Sequence, residues 1–156
     1  VNLNRVFDVR EYAFSDKAAE LGIYNRPDNG SVASLKNLHS HIVVPLLDVF
    51  GRVQINSGFR CQELNARLGS SSTSQHTRGE AVDIEVPLIG NDGLFNYIFT
   101  KLPFDQLIRE HPGKQLCSGW VHVSWVAQCR GNALLCVAGK YTSQGVITDS
   151  NSPWRA

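Results

Sequence analysis

Most of the side chains able to do chemistry fall in two stretches of the chain. The first is SGFRCQELNARLGSSSTSQHTRGEAVDIEVP, from Ser57 to Pro87, centred on Ser74-x-His76-x-x-Gly79-x-Ala81-x-Asp83. An imidazole and a carboxylate stand seven residues apart, with a glycine between them where the backbone can turn. One nitrogen and one oxygen donor suit Zn²⁺, which in a catalytic site takes three protein ligands and leaves a position for water. The second stretch, Trp120-Val-His122-Val-Ser124-Trp125-Val126, offers His122 as the third ligand. His-x6-Asp alone is a common spacing, and either histidine also reads as a hydrogen-bonded structural residue. The joint pattern is what points to a metal.

Both stretches place their donors on strands. From Glu80 to Val86 the residues alternate, with Val82, Ile84 and Val86 on one side and Ala81, Asp83 and Glu85 on the other. With the apolar set facing a core, Asp83 projects from the opposite face towards the loop that carries His76. In the same way Trp120, His122 and Ser124 share one face of their run. A donor set on rigid elements keeps a fixed geometry.

SGFR, then SQHTRGEAVDI, then WVHVS resembles the zinc peptidases that group D-Ala-D-Ala carboxypeptidases and dipeptidases with phage peptidoglycan endopeptidases. Hedgehog signalling domains share their fold. The likeness runs from about Phe7 to Val137 and is nearest to short phage-type members that carry DQLI-x-E before WVHVS. It implies one Zn²⁺ per chain held by His76, Asp83 and His122, and bacterial peptidoglycan peptides as substrate. It also implies that Arg60, the arginine of the SGFR motif, contacts substrate or the developing negative charge. The alternative for Arg60 is a structural ion pair.

The dipeptidases place a catalytic glutamate three residues before the second histidine, and here that position is Gly119. The base must then come from another strand. Glu110, at the end of DQLIRE, matches the acidic residue of the phage-like members and of hedgehog domains, with Asp105 and Glu85 as weaker candidates. Its other reading is a solvated carboxylate beside Arg109. Ser74, at the head of the metal motif, and Trp120 are candidate substrate-binding residues, although a tryptophan on a sheet also suits core packing. A second function fits the same features: a non-catalytic, zinc-stabilised module that binds cell wall or builds a phage tail. A Ser or Cys hydrolase is a distant third, since assigning His76 and His122 to metal leaves Cys61 without a His-Asp pair.

Composition narrows the classes. The chain has 156 residues, 42% hydrophobic and 19% charged, as for one globular domain able to bury a core. Its formal charge is +1 with both signs interspersed, so no basic stripe suggests nucleic acid. The apolar runs are too short for membrane insertion, and a monomer is expected. VNLNRVFDVREY shows no signal-peptide pattern, which fits a phage-encoded or bacterial protein reaching the cell wall or periplasm by other means. Cys61, Cys117, Cys129 and Cys136 match no zinc ribbon. Cys129 and Cys136 flank an apparent hairpin turn at Arg130-Gly131-Asn132 and would be placed to pair across it; the alternative is four free thiols.

The expected architecture is α+β: N-terminal helices over about 7–50, packed on a small antiparallel sheet with the metal site over about 53–140, in a single domain spanning 1–156. Ser15 and Gly22 delimit a short helix, and Asp8-x-x-Glu11 predicts a capping box. NRPDNG (25–30) reads as a linker. Val32, Leu35, Leu38, Ile42, Leu46 and Val49 predict one long amphipathic helix over 31–50, kinked at Pro45. His39 and His41, two apart, cannot face one metal together. Further helices are expected over 62–68, with Leu64 and Leu68 inward, and over 91–101. Strands are expected over 53–57, 104–110, 120–128 and 133–139, with no pattern after Tyr141.

Overall fold

The computed structural model describes residues 2–113, 115 and 118–148. Helices α1 (Val9–Ala13) and α2 (Asp16–Leu21) open the chain. The Asp8 side chain accepts from the Arg10 N–H, while Glu11 reaches away to Asn4, so the reciprocal half of the capping box does not form. Ser15 caps α2 and Gly22 closes it in the left-handed conformation (φ 65°), as the sequence predicts. NRPDNG is more than a linker. Asp28 caps α3 (Asn29–Leu38), and the Asn25 amide bonds the carbonyls of Ala13 and Phe59 and the N–H of Cys61. The linker therefore ties the helices to the SGFR turn.

The predicted long helix is broken in a specific way. α3 stops at Leu38, a π-helical turn spans His39–Val43, and α4 runs over Val44–Phe50 with Pro45 in its first turn. Proline lacks an N–H and clashes with the carbonyl four residues back. The wider turn accommodates this, with the Val44 N–H reaching the His39 carbonyl. The extra residue shifts the phase of the apolar stripe. Leu35, Leu38, Ile42, Val43, Leu46 and Leu47 are buried, whereas Val49, expected inward, is 55% exposed. His39 is buried, 2.7 Å from the Tyr12 hydroxyl, and His41 stacks on Trp125 at the surface. α5 (Gln62–Arg67) ends one residue before Leu68, which turns outward instead of inward.

The strands are β1 (Gln54–Ser57), β2 (Ala81–Glu85), β3 (Gln106–Glu110), β4 (Trp120–Ser124), β5 (Asn132–Val137) and β6 (Lys140–Ser143), with α6 (Gly90–Lys101) between β2 and β3. They form one sheet in the order β1-β2-β4-β3-β5-β6. It is mixed, not antiparallel as expected, because β3 and β5 pair in parallel. β5 starts at the end where β4 stops, and both β3 and β5 run opposite to β4, with β3 lying between. Arg130-Gly131-Asn132 is accordingly no hairpin turn. It crosses the start of β3, where the Gly131 and Asn132 N–H groups bond the Phe104 and Asp105 carbonyls. Cys129 and Cys136 do not pair across it; with Cys61 they are free thiols, and Cys117 lies outside the described residues. The true hairpin follows β5, where Ala138 and Gly139 both have positive φ (50° and 76°), as a two-residue type I′ turn requires.

One face of the sheet is the core face. Val82, Ile84, Leu107, Val121, Val123 and Ala133 join Leu35, Leu38, Ile42, Leu94 and Ile98 from α3, the π turn and α6 in one apolar cluster. Arg109 also points to this side and pairs with Asp92 of α6 at 2.8 Å. It therefore does not accompany Glu110, which belongs to the other face. No helix among the described residues is long and apolar enough to cross a membrane.

Candidate metal centre

Strand register builds the site. Cross-strand partners share a face and lie about 4.5–5.5 Å apart. Ser57 opposes Asp83, Asp83 opposes His122, His122 opposes Ile108, and Ile108 opposes Leu134. The next row on the same face is Trp120, Glu110, Cys136 and Tyr141. His76 is delivered from outside the sheet by a 3-10 turn, Gln75–Arg78, directly before β2. Gly79 closes that turn with φ 69°, and a Cβ there would collide with the Ser31 carbonyl oxygen of α3. Only glycine allows the turn to sit this close, so Gly79 sets where His76 points.

The three donors converge. His122 Nδ1 is 3.0 Å from Asp83 Oδ1, His76 Nε2 is 3.4 Å from the same oxygen, and the two nitrogens are 3.2 Å apart. Ligands about 2.0–2.1 Å from a tetrahedral ion stand about 3.3 Å from one another. The triangle thus has the size of one face of a zinc tetrahedron. All three residues are at least nine-tenths buried.

The protonation states suit a cation. His76 Nδ1 lies 2.7 Å from the Gly58 carbonyl, which can only accept, so Nδ1 carries the proton and Nε2 presents its lone pair to the triangle. Burial pushes the His76 imidazole below its usual range, outweighing the pull of Asp83, and keeps it neutral. Burial works against the Asp83 charge, yet the two histidines hold its carboxyl well below the carboxylate range. Among the described residues His122 Nε2 is buried without a hydrogen-bond partner, while its Nδ1 faces Asp83 and His76. The lone pair of His76 Nε2, the ionised Asp83 carboxylate and His122 Nδ1, all facing one point, fit Zn²⁺.

The centre lies in a cleft of about 1050 Å³ that also presents Arg60, Ser74, Glu110 and Trp120. Arg60 donates to Ser70 Oγ at 3.0 Å and sits 3.4 Å from Asp83 Oδ2, the oxygen turned away from His122. Glu110 is buried to 8% exposure. The other carboxylates are engaged elsewhere. Asp105 takes two bonds from the Arg130 guanidinium, at 2.6 and 2.9 Å, and one from Gln75 at 2.9 Å. Glu85 accepts from Asn91 at 3.3 Å and is not among the residues lining the cleft. His111 and Tyr141 line it as well. Neither was anticipated: His111 reads in sequence as part of a strand-breaking turn, and Tyr141 sits on a strand whose four residues are all exposed and carry no apolar period.

A comparison with curated proteins finds no match. The sequence model of the family Peptidase M15 matches residues 5–124, a span that includes His76, Asp83, Glu110 and His122. The chain belongs to this family of zinc peptidases.

Proposed function

We propose that the protein hydrolyses peptide bonds in the stem peptides of bacterial peptidoglycan, with one Zn²⁺ held by His76, Asp83 and His122 and Glu110 as general base. The observation that carries this reading is the buried triangle of His76 Nε2, Asp83 Oδ1 and His122 Nδ1 at a cleft that also presents Glu110. A bound zinc ion would polarise the scissile carbonyl and lower the pKa of water to about 7.

The remaining work falls to the chain. Glu110 lies one row along the sheet from His122, on a diagonal that spans about 7–8 Å between strands and leaves room for water between the two side chains. As a carboxylate it takes a proton from the attacking water and returns it to the leaving amine as the C–N bond breaks. Arg60 holds the outer oxygen of Asp83, which keeps Oδ1 directed at the two histidines. Ser74 and Trp120 line the cleft on which the peptide lies. Both the terminal D-Ala-D-Ala bond and a bond within the stem suit this chemistry.

The test is incubation of purified sacculi and of casein with the zinc-loaded protein, with and without a chelator, and mass spectrometry of the new termini. Chelator-sensitive cleavage of stem peptides is expected, and the termini identify the bond. Cleavage of casein with sacculi left intact would refute the substrate class. Binding of muropeptides with no cleavage would favour a non-catalytic wall-binding module.

A further inference from the structure

We propose that Glu110, His111 and Cys136 form a second metal site, for a thiophilic divalent cation such as Zn²⁺ or Cd²⁺. Outside the His76 triangle, these three offer the only such group among the described residues, with their ligand atoms all within 4.8 Å of one another. Glu110 and Cys136 are paired positions on the parallel strands β3 and β5, so both side chains stand on the cleft face. His111 follows Glu110 with φ 44°, an unusual conformation for a residue with a side chain. That turn brings Nε2 within 3.9 Å of Glu110 Oε2. Glu110 and Cys136 are buried, while the His111 side chain is 49% exposed and gives an ion a way in.

The donor set determines the class of ion. One thiolate, one imidazole and one carboxylate match Zn²⁺ and softer cations and disfavour Mg²⁺ and Ca²⁺, which take oxygen ligands. On binding, the Cys136 S–H bond breaks, its proton passes to solvent and a sulfur–metal bond forms. Glu110 and His111 contribute lone pairs. The existence of this site does not depend on Glu110 being the base, but its consequence rests on that reading: a filled site withdraws Glu110 from proton transfer, so excess metal inhibits.

The first centre contains no sulfur, which makes the two sites separable. Protein loaded with one equivalent of Zn²⁺ is titrated with Cd²⁺, and the thiolate-to-cadmium charge-transfer band is followed in the ultraviolet. The band should saturate at one further equivalent and be absent in Cys136→Ser. In His111→Asn, a residue that tolerates positive φ, Cd²⁺ affinity should fall by at least about 10-fold. No band, a band that persists in Cys136→Ser, or unchanged affinity in His111→Asn overturns the site. Turnover measured alongside reads the base. Loss of activity in step with the band upholds both assignments. A band that requires Cys136 and His111 while turnover is unchanged upholds the site and removes Glu110 from catalysis.

Discussion

Replacing Glu110 with glutamine separates proton transfer from everything else the residue does. The two side chains match in size, and at 8% exposure Glu110 is packed in place, so the fold should survive the change. What is lost is the ability to take up a proton. General acid–base catalysis is worth about 10²–10⁴ in rate, or about 2.7–5.5 kcal/mol of barrier. A loss within that range is expected, because neither of the other two candidate carboxylates is free to substitute. Asp105 is held by Arg130 and Gln75, and Glu85 by Asn91 beyond the cleft lining. Steady-state turnover on an isolated muropeptide is the assay, with zinc content and the melting curve as controls. Glu110→Gln should keep both and lose kcat, with KM little altered, while Asp105→Asn and Glu85→Gln stay near wild-type kcat. Wild-type turnover in Glu110→Gln, or its loss in one of the other two variants at full zinc content, would refute the assignment.

The zinc assignment predicts near-unit stoichiometry by elemental analysis after reconstitution, with the metal lost in His76→Ala and in His122→Ala; full zinc content in both variants would rule out this centre. A separate prediction concerns acid stability. Hydrogen bonding from Arg130 lowers the Asp105 carboxyl to about 2, against the opposing cost of burial. A depressed folded-state pKa stabilises the fold above the ordinary carboxylate range and loses that contribution as pH falls from about 4 through about 2. Because Arg130 is 58% exposed, screening limits the contribution to about 1 kcal/mol. Denaturant midpoints should therefore favour the wild type over Asp105→Asn at pH 6 and converge below pH 2, and a difference that persists at the lowest pH would contradict this.

The residues that converge on the candidate metal centre were legible for a physical reason. Alternation in Ala81–Glu85 and Trp120–Ser124 fixes which side chains share a face, and a period of two leaves no freedom once Val82, Ile84, Val121 and Val123 are buried. Register then brings Asp83 against His122 without further information. Strand order was not legible in the same way. The link from β4 to β5 carries glycine and polar residues, as a hairpin turn does, and only the placement of β3 between them makes that link a crossover. The π turn escaped because periodicity sees Pro45 as a kink but not the residue inserted to relieve it. β6 escaped because its hydrogen bonds to β5 are made by backbone, which no side-chain pattern records.

That division has a consequence for how the site works. Asp83, His122 and Glu110 stand on three neighbouring strands in the middle of the sheet, braced from behind by the apolar cluster. Their spacing is set by hydrogen-bonded register, which changes only in whole steps. Much of the cleft wall is different in kind. Ser70, Ser71, Thr73 and Ser74 come from the loop after α5, and Gln128 and Arg130 from the crossover between β4 and β5. Loops accept changes of length and composition that strands do not. Substitutions in these two segments should accordingly redirect which peptide is bound while the rate constant of the bond-breaking step holds. Substitutions in the strand rows should do the reverse, lowering that rate constant for every peptide alike.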